Sequence, residues 1–485
     1  RDGLSRITHR ISPRTFIIGE ESNITAIPTQ GILKPVPLAE RMKELGKSIY
    51  ANVYVSGLLS GIFKADETVV TQYLEKQFAS KGQDVIDNNL KAFRMGVEDS
   101  AQLGITVSIP QNPAVKKMKV VNGSEAVGIG FIAGGIDFVS SYPMSPGTGV
   151  LMYMVGKARE YGIAIEQAED EIAAINMAIG GWYAGARAMV TTSGGGFALM
   201  TEGVSLAGMV ESPVVIHIGQ RPGPATGLPT RTEQGDLNLA LYSGHGDFPR
   251  VIYAPGSHEQ SIHLAYQSVE TADEYQVPVF LLTDQYILDG EAMVPPVDFS
   301  KLPVTRRIVK TSKDYLRYAY TESGISPRGI PGYGDGLVTA DSDEHTEEGR
   351  ITESFDVRVK MTDKRMRKLD GLKDLEPVII GAKNYKTLIV GWGSTYNTIK
   401  EVVQELGRDD VAFAFFPQVY PLPRSTRSIL EKAQKRILVE NNVTGQFGDL
   451  VQRDLLLGFD KRILQYDGLP FSVETLKERL EEVLA

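Results

Sequence analysis

One segment combines two prolines with hydroxyl side chains at the point where a predicted strand ends. Residues 141–148 read Ser-Tyr-Pro-Met-Ser-Pro-Gly-Thr, after an apolar run at 138–140 and before a predicted helix at 149–160. Ligands of open α/β sheets bind where loops leave the carboxyl ends of strands, so Ser145 and Thr148 are candidate ligand contacts. The same hydroxyl groups would also serve as helix caps, and the spacing leaves both interpretations open.

An acidic residue heads an apolar helical stripe in the segment 166–182. Ile175, Ala178 and Trp182 follow Glu171 at the fourth, seventh and eleventh positions, so they share its helix face. A carboxylate on such a face is desolvated, which raises its pKa. A carboxyl group of this kind suits sharing a proton with a ligand nitrogen atom, and a buried helix cap is an equally consistent interpretation.

An arginine stands among glycine and proline residues in the segment 219–231. The segment reads Gly-Gln-Arg-Pro-Gly-Pro-Ala-Thr-Gly-Leu-Pro-Thr-Arg and follows an apolar run at 214–218. Arg221 therefore lies at the end of a predicted strand, where its guanidinium group can bind a carboxylate through two hydrogen bonds. A stiff loop in which Arg221 pairs with a nearby aspartate fits the pattern as well. His245 and Asp247 are a weaker candidate pair, since a lone histidine usually has a structural role.

The elements that must position these segments alternate between strands and helices over residues 118–310. Apolar runs predict buried parallel strands and 171–186 predicts a helix, which together indicate a doubly wound α/β domain. The predicted strands are 138–140, 188–192, 214–218 and 279–282. Three other regions are predicted. The first, over 1–108, ends in a helical pattern with amphipathic segments at 67–78 and 84–95. The others are an irregular connector over 311–380 and a last α/β domain over 381–485.

Size and composition limit the class of protein. The length of 485 residues suggests about three domains, and a net charge of −9 argues against non-specific nucleic-acid binding. No apolar run approaches the roughly 20 residues of a transmembrane helix, and no signal peptide opens the sequence, so we expect no membrane contact and a cytoplasmic location. Because residue 1 is arginine, we expect the numbering to begin inside a longer product or after processing. The chain has no cysteine, so a partner must bind any iron–sulfur cluster of the reaction.

Taken together, these segments resemble the alpha subunits of 2-oxoacid:ferredoxin oxidoreductases. Residues 142–148 resemble the family pattern Tyr-Pro-Ile-Thr-Pro-x-Thr/Ser, 171–182 its glutamate-led helix and 221–230 its substrate loop. Further matches lie at 244–250, 322–328 and 439–446. Several long motifs in the family's order cover nearly the whole chain, and this favours the functional interpretation of all three candidate segments.

The resemblance implies a cofactor site. Glu171 matches the catalytic glutamate that hydrogen-bonds the aminopyrimidine ring of thiamine diphosphate and so promotes loss of the thiazolium C2 proton. Tyr142 and Pro143 are expected to contact the same cofactor.

The resemblance also implies a substrate site. Ser145 replaces a threonine that contacts the 2-oxoacid, which keeps the hydroxyl donor and loses a methyl group. Arg221 matches the arginine that binds the substrate carboxylate. Thr230 matches a second contact in enzymes that accept 2-oxoglutarate.

The family's architecture implies domains and partners. It predicts a pyrimidine-side thiamine-diphosphate-binding domain, a C-terminal domain like that of transketolase, and an N-terminal gamma-type domain without its usual Gly-rich opening before Arg1. A beta subunit is expected to carry the Mg²⁺ and diphosphate site and [4Fe-4S] clusters, in an (αβ)2 heterotetramer. Residues 334–336, Gly-Asp-Gly, resemble the start of the magnesium motif, but no asparagine follows before Asn384, so we interpret them as part of the connector.

The predicted activity is oxidative decarboxylation of 2-oxoglutarate with coenzyme A and ferredoxin, or the reverse carboxylation of succinyl-CoA. Three alternatives stay open at this point. They are the same chemistry on pyruvate or branched-chain 2-oxoacids, a transketolase-type or lipoamide-linked enzyme, and a catalytically silent scaffold subunit.

Overall fold

A computed structural model describes residues 4–5, 7–8, 11–26, 28–110 and 112–485. The chain divides into two compact units, Arg1–Lys116 and Lys117–Ala485. None of the helices in the described part of the chain is both long enough and apolar enough to cross a lipid bilayer.

The first unit combines a small parallel sheet with helices. Strands β1 (Phe16–Gly19) and β2 (Ile32–Pro35) pair in parallel. The helices are Glu21–Ile24, Leu38–Glu44, Ala51–Phe63, Glu67–Phe78 and Gln83–Gln102, with 3-10 turns at Ser48–Tyr50 and Ala79–Lys81. The two amphipathic segments predicted in this unit, 67–78 and 84–95, are helical, so these predictions are confirmed. The helices Ala51–Phe63 and Gln83–Gln102 are in backbone contact at Gly57. A Cβ atom at this position would lie 2.1 Å from the carbonyl oxygen of Phe93.

The second unit holds the remaining strands and most of the helices. The strands are β3 (Lys119–Asn122), β4 (Phe138–Ser141), β5 (Ala164–Gln167), β6 (Ala188–Thr192), β7 (Val214–Gln220), β8 (Val251–Tyr253), β9 (Pro278–Asp284), β10 (Glu291–Val294), β11 (Val378–Gly381), β12 (Thr387–Trp392), β13 (Val411–Phe416), β14 (Gln418–Tyr420), β15 (Lys435–Glu440) and β16 (Lys461–Leu464). The helices are Gly123–Ala133, Thr148–Tyr161, Glu171–Ala184, Gly194–Phe197, Thr201–Met209, Leu237–Tyr242, His258–Tyr275, Gln285–Asp289, Phe355–Arg367, Thr395–Leu406, Thr426–Glu431, Gln446–Leu455 and Val473–Leu484. The 3-10 turns are Pro113–Lys117 (at the division between the units), Ala198–Met200 and Phe299–Lys301.

A seven-stranded sheet in the order β14-β8-β9-β7-β6-β4-β5 forms the centre of this unit. Its strands are parallel except for β14, which pairs with β8 in the antiparallel sense. Successive residues of β6, Met189 and Val190, belong to different hydrophobic clusters on opposite faces of the sheet. Helix Glu171–Ala184 packs into one cluster and helix Thr148–Tyr161 into the other, so the predicted doubly wound α/β fold is confirmed.

The ends of the predicted elements differ from the observed ends for local reasons. The strand predicted at 214–218 continues to Gln220, because the polar end of β7 still pairs with β9. The helix predicted at 171–186 ends at Ala184, because Gly185 takes a left-handed conformation with φ of 101°. At the other end of this helix the Asp170 side chain accepts a hydrogen bond from the backbone N–H of Ala173 at 2.7 Å.

A second sheet lies in the C-terminal part of the unit. It has five strands in the order β11-β13-β12-β15-β16, of which only β11 is antiparallel to its neighbour. The strand β14 follows directly after β13 but joins the first sheet. Trp392 and Phe447 of this part belong to the same hydrophobic cluster as Ile175 of helix Glu171–Ala184, so the two sheets share a core.

The region predicted as an irregular connector contains a helix, Phe355–Arg367. The prediction of irregular structure was therefore wrong for these residues. The buried residues of the helix are Met361, Lys364 and Arg365, two of which are charged. A search for apolar periodicity misses such a helix, because its buried face is polar. Lys364 lies 2.8 Å from the buried carboxylate of Glu211, and Lys368 contacts the same carboxylate at 2.8 Å.

The Glu211 carboxylate is expected to stabilise the fold strongly. Burial alone would raise the pKa of Glu211, but Lys368 and Lys364 outweigh it and lower that pKa to about 2. Glu211→Gln would leave the buried amino groups of Lys364 and Lys368 without their carboxylate partner, so we expect the free energy of unfolding to fall by about 3–5 kcal/mol. The free energy of unfolding can be measured by urea denaturation, followed by the fluorescence of the buried Trp182 and Trp392.

The exposed Glu202 provides the matched control, since Glu202→Gln removes a carboxylate that is in water. We expect that variant to unfold within about 0.5 kcal/mol of the wild type. Equal stability of the Glu211 and Glu202 variants would contradict the anchoring role of Glu211.

Candidate active site

The side chain of Glu171 is buried at the start of its helix. Only 3% of the residue is exposed, and its Oε1 atom has no hydrogen-bond partner among the residues that the structure describes. Burial raises the pKa of the carboxyl group, its own backbone N–H lowers that pKa, and Asp170 raises it further. The pKa of the carboxyl group is therefore higher than that of a solvent-exposed glutamate, and one of its oxygens is free to contact a ligand.

Three glycines, Gly194–Gly196, follow Ser193 at the end of β6 and form the first turn of the short helix Gly194–Phe197, which we call the glycine turn. A Cβ atom on Gly196 would lie 2.4 Å from Glu171 Oε1, and one on Gly194 would lie 2.1 Å from Asp236 Oδ1. A Cβ atom on Gly195 would lie 3.7 Å from the carbonyl oxygen of Ala225. The glycine turn thus meets the helix start, the segment around Asp236 and the loop after Arg221, and side chains on its first and third residues would clash.

Asp236 was not predicted as a site residue. Its Oδ2 atom is buried and, like Ser193 Oγ beside the glycine turn, has no hydrogen-bond partner among the described residues. Burial and the negative charge of Glu233 raise the pKa of Asp236 to about 7, against the opposing effect of Arg221. Three consecutive glycines after a buried strand are a sequence signal that was not used in the prediction, and they do not single out Asp236 itself.

The loop 142–148 lies on the carboxyl ends of β6 and β7. The Thr191 hydroxyl donates a hydrogen bond to the carbonyl oxygen of Gly147 at 3.1 Å. A Cβ atom on Gly147 would lie 2.6 Å from the carbonyl oxygen of Thr192, so the loop backbone touches the strand. This contact leaves Ser145 and Tyr142 on the exposed side of the loop and Pro143 partly buried.

A chain of buried side chains joins the strands beneath the site. Thr191 Oγ1 lies 2.8 Å from His217 Nδ1, and His217 Nε2 lies 2.8 Å from Thr283 Oγ1. Burial lowers the pKa of His217 to about 3, so the imidazole is neutral and each of its nitrogens has a hydroxyl partner. These residues of β6, β7 and β9 were missed in the sequence, because within an apolar strand they look like ordinary core positions.

Arg221 brings two of the predicted segments together. Its Nη1 donates to the carbonyl oxygen of Ser145 at 2.8 Å, and Nη2 lies 3.5 Å from Met144 Sδ. Among the described residues no carboxylate forms an ion pair with Arg221, so the interpretation of a paired structural arginine is wrong. The guanidinium group is positioned at the loop that carries Ser145 and retains a positive charge for a ligand.

Thr230 lies in the same loop as Arg221 but is exposed. Its carbonyl oxygen accepts a hydrogen bond from Arg231 Nη1 at 2.9 Å. No hydrogen bond from its side chain to Ser145 or Arg221 is found in the described part of the chain. Its role as a substrate contact therefore stays a prediction.

Two weaker candidates lie elsewhere. His245 and Asp247 are exposed and line a separate cavity of about 680 Å³, where His245 Nδ1 lies 3.2 Å from Ser205 Oγ. The Gly-Asp-Gly sequence at 334–336 is in the connector, where the backbone N–H of Asp335 donates to the carbonyl oxygen of Thr311 at 2.9 Å.

The fold and this site define a class of protein. Residues 129–364 match the family described as pyruvate flavodoxin/ferredoxin oxidoreductase, thiamine-diphosphate-binding, and residues 3–99 match the family described as pyruvate ferredoxin/flavodoxin oxidoreductase. The second unit therefore contains the thiamine-diphosphate-binding domain of these oxidoreductases. The unpaired Glu171 Oε1 and the side-chain-free glycine turn fit that assignment, since both leave room and a hydrogen-bonding atom for the cofactor.

Sequence similarity to individual proteins identifies the family within this class. The chain is 36% identical over 386 residues to 2-oxoacid:ferredoxin oxidoreductase 1, subunit alpha, of Sulfurisphaera tokodaii, and this covers 75% of the chain and 61% of that protein. It is 35% identical over 483 residues to 2-oxoacid:ferredoxin oxidoreductase 2, subunit alpha, of Aeropyrum pernix, covering 93% of the chain and 74% of that protein. The chain belongs to the family of 2-oxoacid:ferredoxin oxidoreductase alpha subunits, which confirms the resemblance. It spans 61% of the length of the Sulfurisphaera relative.

A solved structure agrees with this assignment. The chain matches 2-oxoglutarate:ferredoxin oxidoreductase from Magnetococcus marinus, with 2-oxoglutarate, coenzyme A and succinyl-CoA bound, at a TM-score of 0.93 and 30% identity. The match covers 100% of this chain and 87% of that one.

The glycine turn is expected to tolerate no side chain at Gly196. Gly196→Ala would force its new methyl group against Glu171 Oε1 and Thr192 Oγ1, and we expect such overpacking to lower the free energy of unfolding by about 1–3 kcal/mol. Gly180 is the matched control, because it lies in the same unit with nothing within 4 Å of an added Cβ atom. Gly180→Ala in mid-helix is expected to be neutral or to stabilise by up to about 1 kcal/mol. Urea unfolding compares the stabilities of the two variants. A Gly196→Ala variant as stable as Gly180→Ala would show that the glycine turn can accommodate a methyl group and would contradict the prediction.

Proposed function

We propose that this chain is the alpha subunit of a thiamine-diphosphate-dependent 2-oxoglutarate:ferredoxin oxidoreductase. The reaction joins 2-oxoglutarate and coenzyme A into succinyl-CoA, releases carbon dioxide and transfers two electrons to ferredoxin; the reverse carboxylation uses the same site. The observation that carries the proposal is the buried Glu171 carboxyl group with its unpaired oxygen, which lies in a thiamine-diphosphate-binding domain.

Glu171 is proposed to hold the pyrimidine end of the cofactor. Its carboxyl group is desolvated, which raises its pKa and suits it to sharing a proton with a ring nitrogen. Thiamine diphosphate, when bound, supplies the carbanion chemistry that breaks the bond between the keto carbon and the carboxylate. Tyr142 and Pro143, on the loop over β6 and β7, are proposed to contact the same group.

Arg221, Ser145 and Thr230 are proposed to orient the 2-oxoacid. The guanidinium group is held by the Ser145 carbonyl and has no carboxylate partner among the described residues, so it can bind a substrate carboxylate. The Ser145 hydroxyl is exposed beside it and can donate to the substrate oxygens. A substrate with a second carboxylate needs a second donor, and Thr230 on the same loop is suited to that role. The Magnetococcus protein, whose structure contains 2-oxoglutarate, supports the choice of substrate.

A beta subunit is proposed to complete the catalyst. The relatives are named as alpha subunits, which supports a partner chain. This chain has no cysteine, so we place the [4Fe-4S] clusters that accept the electrons on the partner, together with the diphosphate and its Mg²⁺. We propose an (αβ)2 heterotetramer that reduces ferredoxin.

Removing the carboxyl group of Glu171 tests the cofactor role. In the complex reconstituted with the partner subunit, we expect Glu171→Gln to lower kcat by about 10²–10⁴-fold, because proton transfer at the cofactor is lost, and Glu171→Ala to abolish turnover. The assay is coenzyme-A-dependent reduction of ferredoxin with 2-oxoglutarate. The exposed Glu169 is the control, and Glu169→Gln should keep wild-type kcat. Full activity of Glu171→Gln would falsify the assignment.

Removing the charge of Arg221 tests the substrate role. Charge-assisted hydrogen bonds contribute about 1.5–3 kcal/mol, so we expect Arg221→Met to raise KM for 2-oxoglutarate by roughly 10- to 150-fold. Steady-state kinetics of the reconstituted complex give KM and kcat separately. The exposed Arg159 is the control, and its change to Met should leave KM unaltered. An unchanged KM in Arg221→Met would place the substrate carboxylate elsewhere.

A further inference from the structure

Asp236 lies across the glycine turn from Glu171. The two carboxyl groups contact opposite ends of the turn, Asp236 at Gly194 and Glu171 at Gly196. Each has one buried oxygen without a hydrogen-bond partner among the described residues. The backbone N–H of Asp236 donates to Gln220 Oε1 at 3.0 Å, and Gln220 directly precedes Arg221. Asp236 is therefore fixed beside the proposed substrate site.

The segment that carries Asp236 is held by the C-terminal sheet and its loops. The backbone N–H of Gln234 donates to the carbonyl oxygen of Asn441 at 2.7 Å, and the Asn442 side chain donates to the carbonyl oxygen of Gln234 at 3.0 Å. Gln446 Nε2 donates to the carbonyl oxygen of Gly235 at 2.9 Å. Such support fixes the position of a side chain that would otherwise lie on a free loop.

Three titratable groups surround Asp236, and two of them, Arg221 and Glu233, shift its pKa. Arg221 lies at the end of β7, Glu233 is in the same segment, and Glu171 lies across the glycine turn. The side chains of the C-terminal part that hold the segment are uncharged amides. Burial and Glu233 favour the protonated acid, whereas Arg221 favours the carboxylate, and the resulting pKa of about 7 puts the balance near neutral pH.

Ionised Asp236 and a bound 2-oxoacid compete for the same positive charge. If Asp236 is ionised, its negative charge partly neutralises Arg221 and repels the carboxylate of an arriving substrate. If Asp236 is protonated, Arg221 keeps its full charge and the acid has an O–H group to donate. Bound substrate, in turn, neutralises Arg221 and adds negative charge, and both effects favour a proton on Asp236.

We propose that Asp236 takes up a proton from solvent when the anionic 2-oxoacid binds at Arg221, and that this proton couples substrate affinity to pH. The inference rests on the proposed function, since it needs Arg221 to be the carboxylate site. Asp236 acts through Arg221 and is a positioning residue. Because the protonated form binds substrate more tightly, affinity is highest below the pKa of free Asp236 and falls as pH rises through it.

The test measures binding and proton uptake without turnover. The holoenzyme, loaded with thiamine diphosphate, is titrated with the methyl monoester of succinylphosphonate, an analogue of 2-oxoglutarate that cannot lose carbon dioxide and does not titrate between pH 6 and 9. Calorimetry at pH 7 in two buffers with different ionisation enthalpies gives the number of protons taken up. For the wild type we expect a fraction of one proton, and a Kd that rises up to about tenfold per pH unit above pH 7.

Two variants separate Asp236 from other titrating groups. Asp236→Asn imitates the protonated acid, so we expect no proton uptake and a Kd that does not change between pH 6 and 8.5. Glu233→Gln removes a neighbouring negative charge, so it should keep the proton uptake but move the change in Kd to lower pH. The wild-type measurement needs no variant, so the test holds even if Asp236→Asn is unstable.

The outcomes distinguish the inference from the proposed function. Binding that requires Arg221 but takes up no proton, or an Asp236→Asn variant with the pH dependence of the wild type, overturns the inference and leaves the proposed function standing. An analogue that does not bind, or that binds Arg221→Met as tightly as the wild type, contradicts the proposed substrate site and the inference with it.

Discussion

The glycine turn after β6 is the constraint on which the rest of the site depends. Its first and last residues lie so close to Asp236 and Glu171 that an added Cβ atom would approach their carboxylate oxygens to 2.1 and 2.4 Å. Two carboxyl groups from distant parts of the chain can meet this turn only if its first and third residues have no side chains. Burial is the largest cause of the raised pKa value of each group.

The support of the site extends far beyond the residues proposed to touch ligands. Beneath it, the neutral His217 links Thr191 and Thr283 across three neighbouring strands. Beside it, hydrogen bonds join the segment after the substrate loop to the C-terminal part, with Gln234 Nε2 donating to the carbonyl oxygen of Trp392 at 2.8 Å. The C-terminal sheet therefore contributes to the site through backbone hydrogen bonds, although it carries none of the proposed catalytic residues.

Some charged side chains of this unit form buried ion pairs, and others have no ion-pair partner among the described residues. Where the connector packs on the domain, the buried charges are paired, as in Arg328 with Asp273 at 2.6 Å. A buried charge without a partner would lower the stability of the fold. At the candidate site the half-buried Arg221 has no ion-pair partner among the described residues, and burial raises the pKa values of the nearby Glu171 and Asp236. This difference separates the charges that stabilise the fold from those available to ligands.

The sequence by itself determined what depends on neighbouring residues. The strands and the helix led by Glu171 follow from apolar periodicity, and Arg221 could be placed at a strand end for the same reason. Only the tertiary structure decided which of these groups meet, since Arg221 contacts Ser145 across 76 residues and Gln234 contacts Asn441 across 207. Asp236 could not be recognised beforehand, because its position against Gly194 and its unpaired oxygen exist only in the folded chain. Desolvation and pairing arise from contacts between distant residues, and no local pattern encodes them.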